Sequence, residues 1–245
     1  MSILNGETKY VPGFYRKKKQ NLAELVNSYI SEWEKKRLAL KKKKEKPSGI
    51  SPTICISRKT GAGALEIAEI LSEKLGMRMF DKEIIEYIAD KADLRHKTVN
   101  YFDECYPGRV NELIKFLFGE KSFTEADYIR LLFSSVLALS SSGSCVLVGR
   151  GAHLILPRDK VLAVRIISSD EFRVKRIVKS FKISEKDAQA EIERNDKKQK
   201  DFFKKVFEKK EVTPYEFDMV INCDYILNYD SVAEMIASAF KAKFA

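Results

Sequence analysis

The stretch ISRKTGAGALEIAEIL, residues 56–71, sets two glycines one residue apart between an apolar run and a helical pattern. Such a turn lets backbone N–H groups converge on an anion, and the following helix adds the positive end of its dipole. The common phosphate loop has a lysine directly after its second glycine and then a serine or threonine, which reach the phosphates and magnesium. Here Ala64 and Leu65 stand in those places. Arg58 and Lys59 sit beside the turn, where a cation could replace the missing lysine. Local sequence leaves two readings open: a phosphate cradle built from Ser57, Arg58, Lys59, Thr60, Gly61, Ala62, Gly63 and Ala64, or an ordinary strand-to-helix turn.

Three further stretches carry residues of the same chemistry. In FDKEIIEYIA, residues 80–89, Asp81 is suited to cap the helix it begins, and Asp81 with Lys82 could also meet a polar ligand at a strand end. In CVLVGRGAHLIL, residues 145–156, a buried strand runs into Arg150 flanked by Gly149 and Gly151. A guanidinium left unobstructed there can grip phosphate through two parallel hydrogen bonds. His153 is expected to pack beside that turn, outside the chemistry. The stretch 164–196 places Arg165 inside an apolar strand, so that it needs a partner or an edge. It then sets Arg173 and Arg176 three apart on one helical face and gives Ser184 and Asp187 capping-box spacing. Arg194 and Asp196 follow near the middle of the next helix. Two arginine-bearing helices joined by a short turn could close over phosphates as a lid; a surface hairpin with solvated charges is the alternative.

The elements that must position these residues follow from periodicity. Short apolar runs at Thr53–Ser57, Arg78–Phe80, Cys145–Val148, Val161–Ile167 and Met219–Asn222 predict strands. Helical patterns fall near 63–75, 82–92, 109–118, 124–141, 170–180, 184–209 and 231–242. That alternation predicts a parallel sheet covered by helices on both faces. Ahead of it, residues 21–45 predict a helix: Asn21 and Glu24 have capping-box spacing, and Leu25, Tyr29 and Trp33 lie on its apolar stripe. KKKKEKPSG, residues 41–49, reads as a linker, so that a basic extension covers 1–50 and one domain covers 51–245.

Composition narrows the function classes. Of the net charge of +10, residues 1–50 hold thirteen Lys/Arg against five Asp/Glu, while the rest is nearly balanced. The basic extension could touch nucleic acid or anionic lipid, or be a solvated face. No run approaches the length of a membrane span, and the first residues lack the order of a signal peptide. The four scattered cysteines include no CxxC, which argues against zinc and disulfides and for a reducing cytoplasm.

Taken in order, ISRKTGAGALEIA, FDKEII, VLVGRGAHLIL, VRIISSDEFRVKRI and YEFDMVIN resemble the cytidylate kinase-like family of P-loop kinases over about residues 52–242. The resemblance implies a three-layer α/β fold, with five parallel strands in order 2-3-1-4-5, helices on both faces and a helical lid at about 173–200. It implies nucleotide substrates: the γ-phosphate of ATP would pass to CMP or dCMP, with magnesium as cofactor. Ser57, Gly61 and Gly63 match the phosphate loop, and Arg173 and Arg176 the catalytic lid arginines. Asp81, Lys82 and Arg150 match the acceptor side, as do Arg194 and Asp196 on the helix after the lid. Gln199 stands where the pattern has an arginine. Relatives commonly replace the loop lysine with glycine and follow it with arginine, so Ala64 is partly a family trait, but Leu65 supplies no arginine. The resemblance leaves the residues that would hold magnesium unknown. A nucleotide-binding sensor or adaptor on the same fold is the alternative.

Overall fold

The computed structural model describes residues 49–85, 123–210 and 212–244, together with Ser31 and Lys35, which are helical and exposed. Most of the predicted linker, the helix over 109–118, most of those over 21–45 and 82–92, and Cys105 lie outside the described residues.

Five parallel strands form one sheet in the order β2-β3-β1-β4-β5. They are β1 (Thr53–Arg58), β2 (Arg78–Asp81), β3 (Cys145–Val148), β4 (Val161–Ile167) and β5 (Met219–Asn222). The central strands are apolar on both faces, as a parallel sheet with two helical covers requires. β1 and β2 each run one residue past their apolar stretch. Arg58 still pairs with Ile166 and Asp81 with Val148, because ladder hydrogen bonds depend on the backbone and not on side-chain polarity.

Alternate residues of each strand enter opposite cores. Ile54, Ile56, Val146, Val164 and Ile166 pack with helices α1 (Ala64–Leu75) and α6 (Tyr229–Phe244). Cys55, Leu147 and Ala163 face the other way, against α2 (Phe123–Ser141) and the short α3 (Ala152–Ile155). Fully buried side chains such as Ile54, Ile67, Leu132 and Phe133 each contribute about 1.5–3 kcal/mol by leaving water. α6 begins two residues earlier than its periodicity predicts, since Asn228 Oδ1 accepts from the backbone N–H of Asp230 at 2.9 Å and of Ser231 at 3.3 Å.

Helices α4 (Asp170–Phe181) and α5 (Glu185–Phe207) form a hairpin beyond β4. Ser169 caps α4 and Ser184 caps α5, the latter accepting from Asp187 N–H at 3.1 Å as the capping-box spacing predicts. Ile177, Ala188 and Ile192 make a small core between them. Asp218, in the YEFDMVIN stretch, is a structural clasp: its carboxylate accepts from both terminal nitrogens of Arg158, from Lys243 and from Ala163 N–H. Those partners hold its pKa down at about 2, against the opposing effect of burial. Cys55, Cys145 and Cys223 are buried and free, and burial pushes the Cys145 thiol up to about 12. No described helix is long and apolar enough to cross a membrane.

Candidate functional site

Between β1 and α1 the chain turns through Gly61 and Gly63, both at φ +84°. At Gly63 a Cβ would stand 2.3 Å from the Tyr229 hydroxyl, so the glycine admits a neighbour from α6 as well as the turn itself. At Gly61 a Cβ would lie 3.2 Å from Arg173 Cβ. Ala64, in the place of the common lysine, is buried among the apolar residues of α1 and α6. Ser57 lies behind the turn, where it accepts a 2.5 Å hydrogen bond from Arg165, giving that strand arginine the partner it needs.

The α4–α5 hairpin is docked on this loop. Arg173, 2% exposed, donates to Asp196 Oδ2 at 2.7 Å, to Asp170 Oδ1 at 2.5 Å and to the Thr60 carbonyl at 3.1 Å. Burial opposes its charge, yet the two carboxylates outweigh that effect and raise its pKa. The other oxygen of Asp196 accepts from Thr60 N–H at 3.4 Å. Arg176 donates to the Gly61 carbonyl at 3.2 Å, to the Tyr229 hydroxyl at 3.1 Å and to Glu66. Burial pushes the Glu66 carboxyl up, and Arg176 pulls it back.

Beside the loop, at the carboxyl ends of β1, β2 and β3, lies an open cavity of about 360 Å³. Arg58, Lys82 and Arg150 reach it from those three strand ends, and Lys59, Arg176 and Lys198 add charge around it. Arg150 has φ +54° between two glycines that are also left-handed. Gly151 is required there, because a Cβ would meet the Phe207 ring at 2.3 Å. The Arg150 guanidinium lies over the Phe202 ring, 4.4 Å from its centroid. Lys82 pairs with Glu83 at 3.3 Å, and Gln199 donates to the Arg58 carbonyl at 3.0 Å.

The sequence-derived site residues therefore divide. Arg58, Lys59, Thr60, Gly61, Ala62, Gly63, Ala64, Lys82, Arg150, Arg176 and Gln199 meet on the cavity wall, whereas Ser57, Asp81, Arg173, Arg194 and Asp196 lie off it. Asp81 is fully buried and caps the following turn, accepting from Glu83 N–H at 3.1 Å and Ile84 N–H at 3.0 Å. Burial, reinforced by Glu83, pushes its carboxyl well above the usual range. Arg194 pairs with Glu191 on its own helix. His153 is buried 3.6 Å from Glu216 and against Phe217, away from the cavity. Three participants escaped the sequence reading. Glu66 and Tyr229 hold Arg176, and Phe202 supports Arg150. Only Glu66, in the first turn after the glycines, carries a local signal.

An open cavity beside a glycine turn, lined by six Lys and Arg side chains against Glu66, Glu83 and Glu191, can take an anionic phosphate chain. Leu65 replaces the loop hydroxyl, and among the described residues no three His, Cys, Asp or Glu side chains converge.

A model of the cytidylate kinase-like family matches residues 53–225. No curated protein matches the sequence. Among solved structures, an uncharacterized protein from Eubacterium ventriosum superposes with a TM-score of 0.60 at 21% identity, covering 78% of this chain and 98% of that one. A shikimate kinase from Bacteroides thetaiotaomicron matches with a TM-score of 0.40 at 13% identity, over 77% and 98% of the two chains. A gluconokinase from Sinorhizobium meliloti gives 0.41 at 11% identity, over 81% and 100%. At such identities the likeness to the Eubacterium structure speaks for the fold alone.

Proposed function

The chain belongs to the cytidylate kinase-like family, and from that premise we propose that it transfers the γ-phosphoryl group of ATP to a nucleoside monophosphate, with CMP or dCMP as the acceptor. The observation that carries the reading is the meeting of the glycine loop with Lys82 and Arg150 at one cavity. A donor's phosphates would lie along the loop, and Arg150 with Lys82 would hold the acceptor's phosphate. Phosphoryl transfer asks a protein mainly for positioning and for charge where the equatorial oxygens pass. Phe202 fixes the Arg150 guanidinium, and Gln199 fixes the strand end that carries Arg58. In this reading residues 51–245 are the kinase domain, working in the cytoplasm, and residues 1–50 a basic extension.

A second reading, a nucleotide sensor without transfer, is favoured by one feature. Arg173 and Arg176, the expected lid cations, are engaged by Asp170, Asp196, Glu66 and loop carbonyls. An acceptor screen separates the two: ADP release is measured with each ribo- and deoxyribonucleoside monophosphate. Transfer that is fastest to CMP or dCMP, and that falls about 10- to 150-fold in kcat/KM when Arg150→Ala removes a charge-assisted hydrogen bond, supports the kinase. ATP binding without transfer to any monophosphate supports the sensor.

A further inference from the structure

We propose that Arg58 supplies, from the end of β1, the positive charge that the common phosphate loop takes from its lysine, and that its guanidinium binds the phosphoryl group in transit. The inference deepens the kinase reading above and rests on it.

The placement of Arg58 carries the argument. Its backbone is fixed twice, by strand pairing with Ile166 and by the hydrogen bond from Gln199 to its carbonyl. Its side chain leans toward the end of β3, where Nη1 would stand 3.0 Å from a Cβ on Gly149. That same Cβ would lie 3.6 Å from Lys82 Cβ. Gly149 thus leaves room for the guanidinium head beside Lys82, on the cavity wall that the loop and Arg150 share. That cavity is the space a phosphoryl group would cross.

The bonding of the cation points the same way. Arg173 and Arg176 spend their donors on carboxylates and loop carbonyls. Among the described residues no oxygen accepts a hydrogen bond from the Arg58 guanidinium. Burial pulls its pKa down; Glu83 favours the charge and Arg150 opposes it. Arg58 is only partly buried and lines the open cavity, so its planar fork of N–H donors can exchange water for a ligand oxygen. A phosphoryl group presents oxygens at the spacing of that fork.

The step balances without a further reactant. An oxygen of the acceptor's phosphate dianion attacks the γ-phosphorus as the bond to the β–γ bridging oxygen breaks. The electron pair leaves with ADP, and no net proton moves. Two parallel N–H groups of Arg58 hold equatorial oxygens throughout.

The test compares ATP with ADP, which lacks the transferred group, by titration calorimetry on the full chain and its Arg58→Gln and Arg58→Lys variants. Arg58→Gln is expected to lose at least about 10-fold in ATP affinity while ADP affinity stays within about 3-fold. Arg58→Lys, which keeps the charge without the fork, should fall between. In a wild type that turns over, Arg58→Gln should lower kcat by about 10²–10³-fold, with little change in the monophosphate KM. Unchanged ATP affinity in Arg58→Gln, or an equal loss for ATP and ADP, overturns the assignment. A wild type that transfers to no monophosphate defeats the kinase reading instead, and a selective loss for ATP in Arg58→Gln then still upholds Arg58 as the γ-phosphate ligand. Should Arg58→Gln not fold, phenylglyoxal labelling of the wild type decides. Protection of Arg58 by ATP and not by ADP supports the assignment, and equal or absent protection refutes it.

Discussion

Asp196 joins the helical hairpin to the loop, and removing it is expected to loosen that joint. Its carboxylate meets Arg173 Nη1 at 2.7 Å and Thr60 N–H at 3.4 Å. In Asp196→Ala the Arg173 guanidinium stays 2% exposed but keeps only Asp170, itself 67% exposed, and the Thr60 carbonyl as partners. Breaking a fully buried pair costs about 3–5 kcal/mol. Asp196 is 31% exposed and water can partly replace it, so the loss of a charge-assisted hydrogen bond, about 1.5–3 kcal/mol, is the better measure. For a chain of this length that lowers the melting temperature by about 3–12 °C. Differential scanning calorimetry of wild type, Asp196→Asn and Asp196→Ala reads it, with the asparagine variant between the other two. A melting temperature within about 1 °C of wild type in Asp196→Ala, together with a raised monophosphate KM, would refute the clasp and make Asp196 an acceptor ligand.

Two further outcomes are expected. Gly63→Ala should destabilise the fold by more than about 1 kcal/mol through its clash with Tyr229 and its positive φ. In a Tyr229→Ala background only the φ strain remains, so additive costs in a denaturant double-mutant cycle would show that no clash exists. Burial holds His153 at a pKa of about 4, with Glu216 opposing and Lys209 and Arg165 assisting. The folded pKa is depressed, so its stabilising effect is present above the unfolded value of about 6.5 and is lost as pH falls toward 4. Between pH 7 and 5 that amounts to about 2 kcal/mol. Urea midpoints of wild type and His153→Gln should therefore diverge across that interval, and parallel curves would contradict the assignment.

The sheet was legible in the sequence because a parallel sheet buried on both faces demands apolar runs, and the runs at 53–57, 145–148, 161–167 and 219–222 contain little else. Helix starts were legible where a serine stood at the cap, as at Ser184, and were misjudged at Asn228, whose side chain caps α6 outside the apolar pattern. The strand order implied by the family resemblance sets β3 beside β1, and that pairing brings the GRG turn to the same edge as the glycine loop.

Motif and spacing thus pointed to the charged residues and to the strand ends that present them. The partner that each charged group takes was decided only by the tertiary structure. Arg173 and Arg176 share one helical face with the spacing of lid cations, yet Asp196, Glu66 and Tyr229 reach them from other elements and direct their donors to the loop backbone. Arg58, which the sequence sets beside the glycine turn, reaches the end of the neighbouring strand because Gly149 there leaves the space. Periodicity and capping are local, spanning a few residues of chain. A guanidinium's partners are set by which strand ends and helices the fold brings within about 3 Å of it, and that distance is fixed only when the sheet and its covering helices assemble.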